Sequence, residues 1–328
     1  MDKVAPNRPH KGFRMNRPVG VLYEHPEWFK PLFSELDRQS IPFVPIDAAQ
    51  NTFEPGTDSN PYSLVVNRMS PSAWLRGHGH AIFHTLDYLG HLDRIGANVL
   101  NGREAFEYEI SKARQLDLFA SVGARYPRAR VVNHHSQILD AAAGLDYPVL
   151  LKPNIGGSGG GIRSFADRGE LADAVSDDLE MGLDHTMLVQ EHLPARDESI
   201  VRVEILDGAF LYAIRIRLLP GSFNLCPADY CEIPGVVDGV SGRGLPIEGY
   251  APRDSMIEQA QRIVSAGGMD VGGVEYLVND RDGEPYFYDV NALSNFVADA
   301  PEVIGFDPFV NLVSVIGQRA GYAAPALA

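Results

Sequence analysis

The chain has 328 residues, 45% of them hydrophobic and 22% charged, and a formal charge of −15. Its length suits two or three domains in close contact. The charge argues against a general nucleic-acid or anionic-membrane binder, because the overall field repels both; an anionic substrate would need local lysines and arginines. Cys226 and Cys231 are too few for a disulfide framework and are not spaced as Cys-x-x-Cys, so a reducing cytoplasm is the expected location. Residues 1–18 read as a polar, basic tail rather than a signal peptide or anchor. No apolar run approaches the ~20 residues of a spanning helix.

From Val19 onward strands and helices alternate. Strands are expected at 19–23, 42–46, 62–66 and 97–100, with helices at about 27–39 and 77–93. This alternation predicts a parallel, doubly wound sheet over residues 19–108. Ligands of such sheets sit beyond the carboxyl ends of the strands, so Arg68, Ser70 and Ser72 are candidates for contacting an anionic substrate, with loop capping the alternative for the serines. His80 and His84 would share a helix face, as metal ligands do, but no carboxylate or cysteine completes a set. Phe106, Ile110, Ala113 and Leu116 recur at helical spacing until Gly123, so one helix spans the link at 109–122. Lys112 lies off its apolar stripe.

Residues 123–190 read as a small α+β lobe built around a glycine loop. An apolar strand at 147–151 runs into Lys152 and then into Gly156, Gly157, Ser158, Gly159, Gly160 and Gly161. Glycines let amide N–H groups close on a bulky anion without a Cβ in the way. The lysine precedes the loop, unlike a P-loop, and the glycines lead into an extended segment at 162–165, unlike a dinucleotide fingerprint. Taken alone, the run equally suits a flexible hairpin.

Residues 191–328 are organised by two hairpins. Asp207-Gly208 joins strands at 200–206 and 209–216. Pairing Leu206 with Ala209 sets Arg202 opposite Ala213 and Glu198 opposite Arg217. Glu198, Arg202, Glu204, Arg215 and Arg217 then share one face, with Val201, Val203, Ile205, Ile214 and Ile216 on the other. In the second hairpin, strands at 273–278 and 285–291 flank a three-residue loop, 281–283, that places Asp280 opposite Glu284 and Glu275 opposite Asp289. Asn291 lies on the same face. Buried like charges repel unless a cation holds them, and hard oxygen donors completed by nucleotide phosphates suit Mg²⁺. The long connection at 220–252 holds Asn224, Cys226, Asp229, Tyr230 and Cys231, and loops of that length are usually functional. Ser255 to Glu258 reads as a capping box opening a helix that Gly267-Gly268 stops. A final helix is expected at 308–318.

In their order these features resemble the ATP-grasp superfamily, most closely its glutathione synthetase and ribosomal-protein glutamate ligase-like carboxylate–amine ligases. The resemblance rests on Glu109-Ile-Ser-Lys112, on Leu151-Lys-Pro-Asn-Ile-Gly-Gly-Ser-Gly159, on Val189-Gln-Glu-His-Leu193, on the Arg202 strand, and on Glu275 followed by Asp289-Val-Asn291. It implies a combined α/β and α+β fold, with an N-terminal doubly wound parallel-sheet domain (19–108) and a linking helix (109–122). A two-lobed ATP-grasp domain with antiparallel sheets follows, made of a lid subdomain (123–190) and a C-terminal subdomain (191–328). It also implies that Lys112 and Lys152 hold the α and β phosphates of ATP, with Gly156, Gly157, Ser158 and Gly159 in a mobile cover over β and γ. Gln190, Glu191, His192 and Leu193 would read adenine through their backbone, and Glu198 would hold the ribose. Glu275, Asp289 and Asn291 would bind Mg²⁺, or Mn²⁺ in its place. Arg202 and one of Arg215 or Arg217 would contact phosphate or an acyl phosphate. Arg68, Ser70 and Asn224 are the substrate candidates. Asp289 departs from the glutamate usual there, and Val274 follows two glycines where some relatives carry an arginine.

The activity implied is ATP-dependent joining of a carboxylate to an amine, amino acid or short peptide, through an acyl phosphate with release of ADP and phosphate. No nucleic acid or membrane partner is expected, and homodimers are common among such relatives. The rival readings are transfer to a hydroxyl or thiol at the same MgATP site, which hydroxylamine trapping separates, and an ATP-binding protein without chemistry. The three metal-ligand positions argue against the last.

Overall fold

The computed structural model describes residues 17–176, 179–219, 223, 225–227 and 245–322. Asn224, Asp229, Tyr230 and Cys231 lie outside them. The expected alternation at the start of the chain is present: β1 (Val19–Tyr23), α1 (Lys30–Arg38), β2 (Phe43–Asp47), β3 (Leu64–Arg68), a 3₁₀ helix (Pro71–Arg76), α2 (Gly79–Arg94) and β4 (Val99–Leu100). These strands form a parallel sheet of order β2-β1-β3-β4. β1 and β3 are apolar on both faces because helices cover both, α1 on one side and α2 on the other.

The single linking helix expected from apolar spacing is two helices, α3 (Arg103–Glu109) and α4 (Lys112–Ser121). Ser111 breaks it. Its backbone is extended and its hydroxyl accepts the Arg114 N–H, so it caps α4. Phe106 and Ile110 pack into the core of the parallel sheet, whereas Leu116 joins the core behind the five-stranded sheet, so the apparent single stripe serves two cores.

Next come β5 (Ala129–Val132), α5 (Ile138–Ala141), β6 (Val149–Pro153), β7 (Arg163–Phe165), α6 (Arg168–Ser176) and β8 (Met187–Glu191). They make an antiparallel sheet of order β5-β8-β6-β7, with the glycine loop between β6 and β7.

A second antiparallel sheet, of order β11-β10-β9-β12-β13, consists of β9 (Ser199–Leu206), β10 (Ala209–Arg217), β11 (Ile247–Gly249), β12 (Val271–Val278) and β13 (Pro285–Asn291). α7 (Asp254–Ala266) packs behind it, and its N-cap is Arg253 with no side-chain cap, so the expected Ser255 box does not form. α8 (Ala300–Ile304) and α9 (Pro308–Ala320) end the chain, and α9 lies against α1 and β3 rather than on this sheet alone. Val19, Val66, Ile214, Ile216 and Ile316 belong to one core, which locks the parallel sheet to the five-stranded one. No described helix is long and apolar enough to cross a membrane.

Candidate functional site

Two lysines converge because one asparagine joins their elements. Lys152 ends β6, and Asn154, two residues on, turns back to the start of α4. Its side-chain oxygen accepts from the Ser111 hydroxyl at 3.1 Å and the Ala113 N–H at 3.0 Å, while its backbone oxygen accepts from the Lys112 N–H at 3.2 Å. The orphan amides at the head of α4 are thereby satisfied. Lys112 and Lys152 are held on one side of a cleft that the glycine loop covers and that Ser70, Ser72, Glu109, Arg202, Glu275, Asp289 and Asn291 also line.

The opposite wall is a ladder of charges. Glu275 stands in the middle of β12, directly across from Asp289 of β13 and from Arg202 of β9. Gly273, one pleat away, lies between Asn291 and Glu204. Arg202 donates to Glu204 at 2.6 Å, to Glu275 at 2.9 Å and to the Ser294 hydroxyl at 3.0 Å. Its guanidinium lies over Gly273, where a Cβ would stand 2.4 Å from Nη2, which explains a glycine inside a buried strand. Lys112 Nζ donates to Asp289 at 2.7 Å, and Lys152 Nζ lies 5.7 Å from the centre of the Tyr288 ring.

Burial and neighbouring charge set the protonation behaviour here. Burial raises the pKa of Glu275; Arg202 opposes this and Asp289 adds to it. Burial would raise that of Asp289 too, but Lys112 overrides it and holds Asp289 below the ordinary range. Burial, aided by Lys112, lowers Lys152 to about 8. Two carboxylates side by side with an amide at Asn291 form an oxygen-donor set that a hard divalent cation would fit.

Glu109, the first residue of the Glu109-Ile-Ser-Lys112 motif, is buried at the end of α3. Burial raises its pKa to about 7 against the pull of backbone N–H donors. Its Oε2 accepts from the amides of Ala292 and Leu293, just past Asn291. From α4, Gln115 brackets Val290, donating to its oxygen at 2.8 Å and accepting from its N–H at 3.3 Å. The break between α3 and α4 therefore grips the end of β13 and fixes Asp289 and Asn291. Ser294, which joins Arg202 to Arg68, also went unread; its only signal was its place three residues after Asn291.

Several expected residues fall elsewhere. A one-residue bulge between Phe210 and Tyr212 shifts the β9–β10 register, so Arg202 faces Ile214, not Ala213, and Arg217 faces Ser199, not Glu198. Arg215 and Arg217 are thereby turned to the opposite face of the sheet from Arg202. Arg215 instead stacks on Tyr250 at 4.2 Å and lies 3.4 Å from Glu248. Glu198 precedes β9 as an exposed residue with φ 46°. Arg68 is 1% exposed, donates to the Ser294 carbonyl and does not line the cleft; an apparent strand end is an interdomain contact. Ser70 caps the 3₁₀ helix through the Ser72 N–H and also reaches the cleft wall. Gln190, Glu191 and Leu193 are buried and His192 half-buried. The Glu191 carboxylate is engaged by Arg128 and by the Asp146 N–H.

No family model matches the chain. D-alanine–D-alanine ligase of Gloeobacter violaceus is 27% identical over 279 residues, 81% of this chain and 86% of that protein. The carbamoyl phosphate synthase large chain of Thermotoga sp. (strain RQ2) is 26% identical over 212 residues, 62% of this chain but 18% of that protein, so the chain spans under a fifth of this relative. Among solved structures, ATP-grasp ligase PsnB complexed with a minimal precursor superposes with TM-score 0.64 at 18% identity, covering 92% of this chain and 99% of PsnB. VanG D-Ala:D-Ser ligase from Enterococcus faecalis gives 0.66 at 17% identity, with 93% and 99% covered. The chain has the ATP-grasp fold. Within that fold the parallel sheet comes first and the two antiparallel sheets enclose the cleft between the lysines and the carboxylate ladder, the arrangement that the sequence resemblance implied.

Proposed function

We propose that the chain is an ADP-forming, ATP-dependent carboxylate–amine ligase. The observation that supports this best is the convergence of Lys112 and Lys152, tied together by Asn154, on the Glu275–Asp289–Asn291 face beneath the glycine loop. On this reading a substrate carboxylate oxygen attacks the γ-phosphorus of ATP. The bond from that phosphorus to the β,γ-bridging oxygen breaks, leaving ADP and an acyl phosphate. A neutral amine then adds to the acyl carbon and expels phosphate, and its proton passes to the departing phosphate or to solvent.

Lys112 and Lys152 neutralise the α and β phosphates, and the loop amides of Gly156 to Gly159 cover β and γ. Glu275, Asp289 and Asn291 would hold Mg²⁺, with Mn²⁺ an alternative; the bound ion supplies positive charge where the phosphates repel. Arg202, fixed by three hydrogen bonds, keeps one cation pointed at the reacting end. Phosphoryl transfer needs positioning and charge neutralisation more than a nucleophile from the protein. The loop also shields the acyl phosphate from water. Gln190 and Glu191 end β8 and His192 and Leu193 begin its connection to β9, so this segment links the two antiparallel sheets and would read adenine through its backbone. The carboxylate and amine are small molecules or a peptide.

Phosphate and ADP release screened over pairs of amino acids and short peptides tests the reading. The expected result is release that depends on both a carboxylate and an amine. Release that needs neither, or that requires a hydroxyl or thiol instead, overturns it.

A further inference from the structure

The glycines of the loop are there for two different reasons. Gly159 and Gly161 have φ of 73° and 74°, a region that favours glycine. Gly157 and Gly160 do not have positive φ, so their backbone would accept a side chain. At Gly157 what excludes one is the parallel-sheet domain; at Gly160 the near atom is the end of a Leu75 side chain, which can shift. A Cβ on Gly157 would stand 2.9 Å from Ser72 Cβ and 3.3 Å from Ser72 N, and one on Gly160 would stand 2.9 Å from Leu75 Cδ1. Both neighbours lie on the 3₁₀ helix Pro71–Arg76, and Trp74 of the same helix is 4.0 Å from a Cβ placed on Gly161.

That helix is braced from below. Ser70 caps it, the Ser70 and Ser72 hydroxyls are 2.8 Å apart, and Arg76 donates to Ser72 at 3.2 Å. Arg76 is itself held by Glu24, whose carboxylate lies 3.0 and 3.1 Å from Arg76 Nε and also meets His78 at 2.7 Å. A short helix anchored in this way presents a fixed surface. Against it the loop sets Gly157 and Gly160, whose contact distance a single methyl group would change.

We propose that the 3₁₀ helix Pro71–Arg76 is the docking platform of the glycine loop, with Ser72 the positioning residue that sets how closely the loop approaches the cleft. Closure of the loop then depends on the parallel-sheet domain, whose Ser70 and Ser72 line the same cleft, so the phosphate cover and the far wall act together. Gly157 is required for this contact and not for backbone conformation. The effect on turnover rests on the proposed ligase function; the docking itself does not.

A double-variant cycle tests the contact. Gly157→Ala is expected to lower kcat/KM for ATP about tenfold or more with thermal stability unchanged. In a Ser72→Gly background the same substitution is expected to cost no more than about threefold, because the Cβ it struck is gone. An equal loss in both backgrounds, or no loss in either, overturns the proposal. A second readout is independent of catalysis. The chain has two tryptophans, so in a Trp28→Phe background Trp74 emission reports the loop when Mg²⁺ and a non-hydrolysable ATP analogue are added. The emission should change, fail to change with Gly157→Ala, and change again when Ser72→Gly is added; any other order contradicts docking. Absence of ADP release by the parent chain, with the Trp74 pattern intact, would refute the ligase reading and leave the docking standing.

Discussion

The two hairpins of the five-stranded sheet each carry a one-residue bulge, and the bulges do opposite work. In β12–β13 the bulge at Tyr288 follows a four-residue loop, 280–283, in which the Asn279 N–H donates to the Glu284 oxygen at 2.9 Å. The loop displaces the register by one and the bulge restores it, so Glu275 ends opposite Asp289. In β9–β10 the bulge at Leu211 has no such counterpart, and every residue beyond it is turned over. Tyr212, Ile214 and Ile216 then point into the core shared with the parallel sheet, while Arg215 and Arg217 face away. Two unpaired guanidinium groups in that core would cost far more than a bulge. The chemistry-bearing face of the sheet is therefore supplied by β9, β12 and β13, and β10 contributes apolar packing to it.

The sharpest way to break this contrast is to remove an arginine from each side. Arg202→Ala leaves Glu204 and Glu275 buried without their cation and should destabilise the chain by about 3–5 kcal/mol in urea denaturation, with loss of turnover. Arg215→Ala removes a half-exposed side chain and should cost about 1 kcal/mol or less, with turnover within about twofold. Similar losses for both would mean that the two faces are not distinct. Next, Asp289→Ala and Lys152→Ala should each reduce amine-dependent ADP release about a thousandfold in steady-state assays; retained activity in either would remove that residue from its role.

Gly273→Ala tests the packing on the Arg202 side. It places a methyl group against a guanidinium that three hydrogen bonds pin, and calorimetry should show a loss of about 1–3 kcal/mol. A further effect lies outside both hairpins and sets the background for acid measurements. Burial, with Arg76 nearby, lowers the pKa of His25 to about 4. Its Nδ1 accepts from the Glu27 and Trp28 N–H groups at 3.2 and 3.3 Å, so only the neutral ring fits. The unfolded chain binds this proton below its ordinary value near 6.5 and the folded chain does not. Stability should be full above that value and fall as pH drops toward 4, by about 1 kcal/mol at pH 5.5, and His25→Asn should flatten the slope.

What the sequence made readable follows from what is local. The alternation of β1, α1, β2 and β3 and the glycine loop after Lys152 depend on periodicity and nearby turns. The bulges at Leu211 and Tyr288 carry no glycine or other local signal, so one facing was misassigned and the other came out correctly because two displacements cancelled. Arg68 illustrates a second barrier. Its burial comes from Phe29 and the Ser294 carbonyl, 226 residues away in the chain, and no spacing announces such a contact. Ser111 was visible as a residue type, but the continuous apolar stripe around it concealed the break between α3 and α4 that makes Glu109 and Gln115 reach β13.

In the proposed reaction a carboxylate is activated by phosphate in this cleft. The most direct measurement of this step is trapping with hydroxylamine in the presence of ATP, Mg²⁺ and a pool of amino acids and short peptides. A hydroxamate should form one for one with ADP, and none should form with Asp289→Ala. ADP without hydroxamate, or AMP in place of ADP, would contradict it.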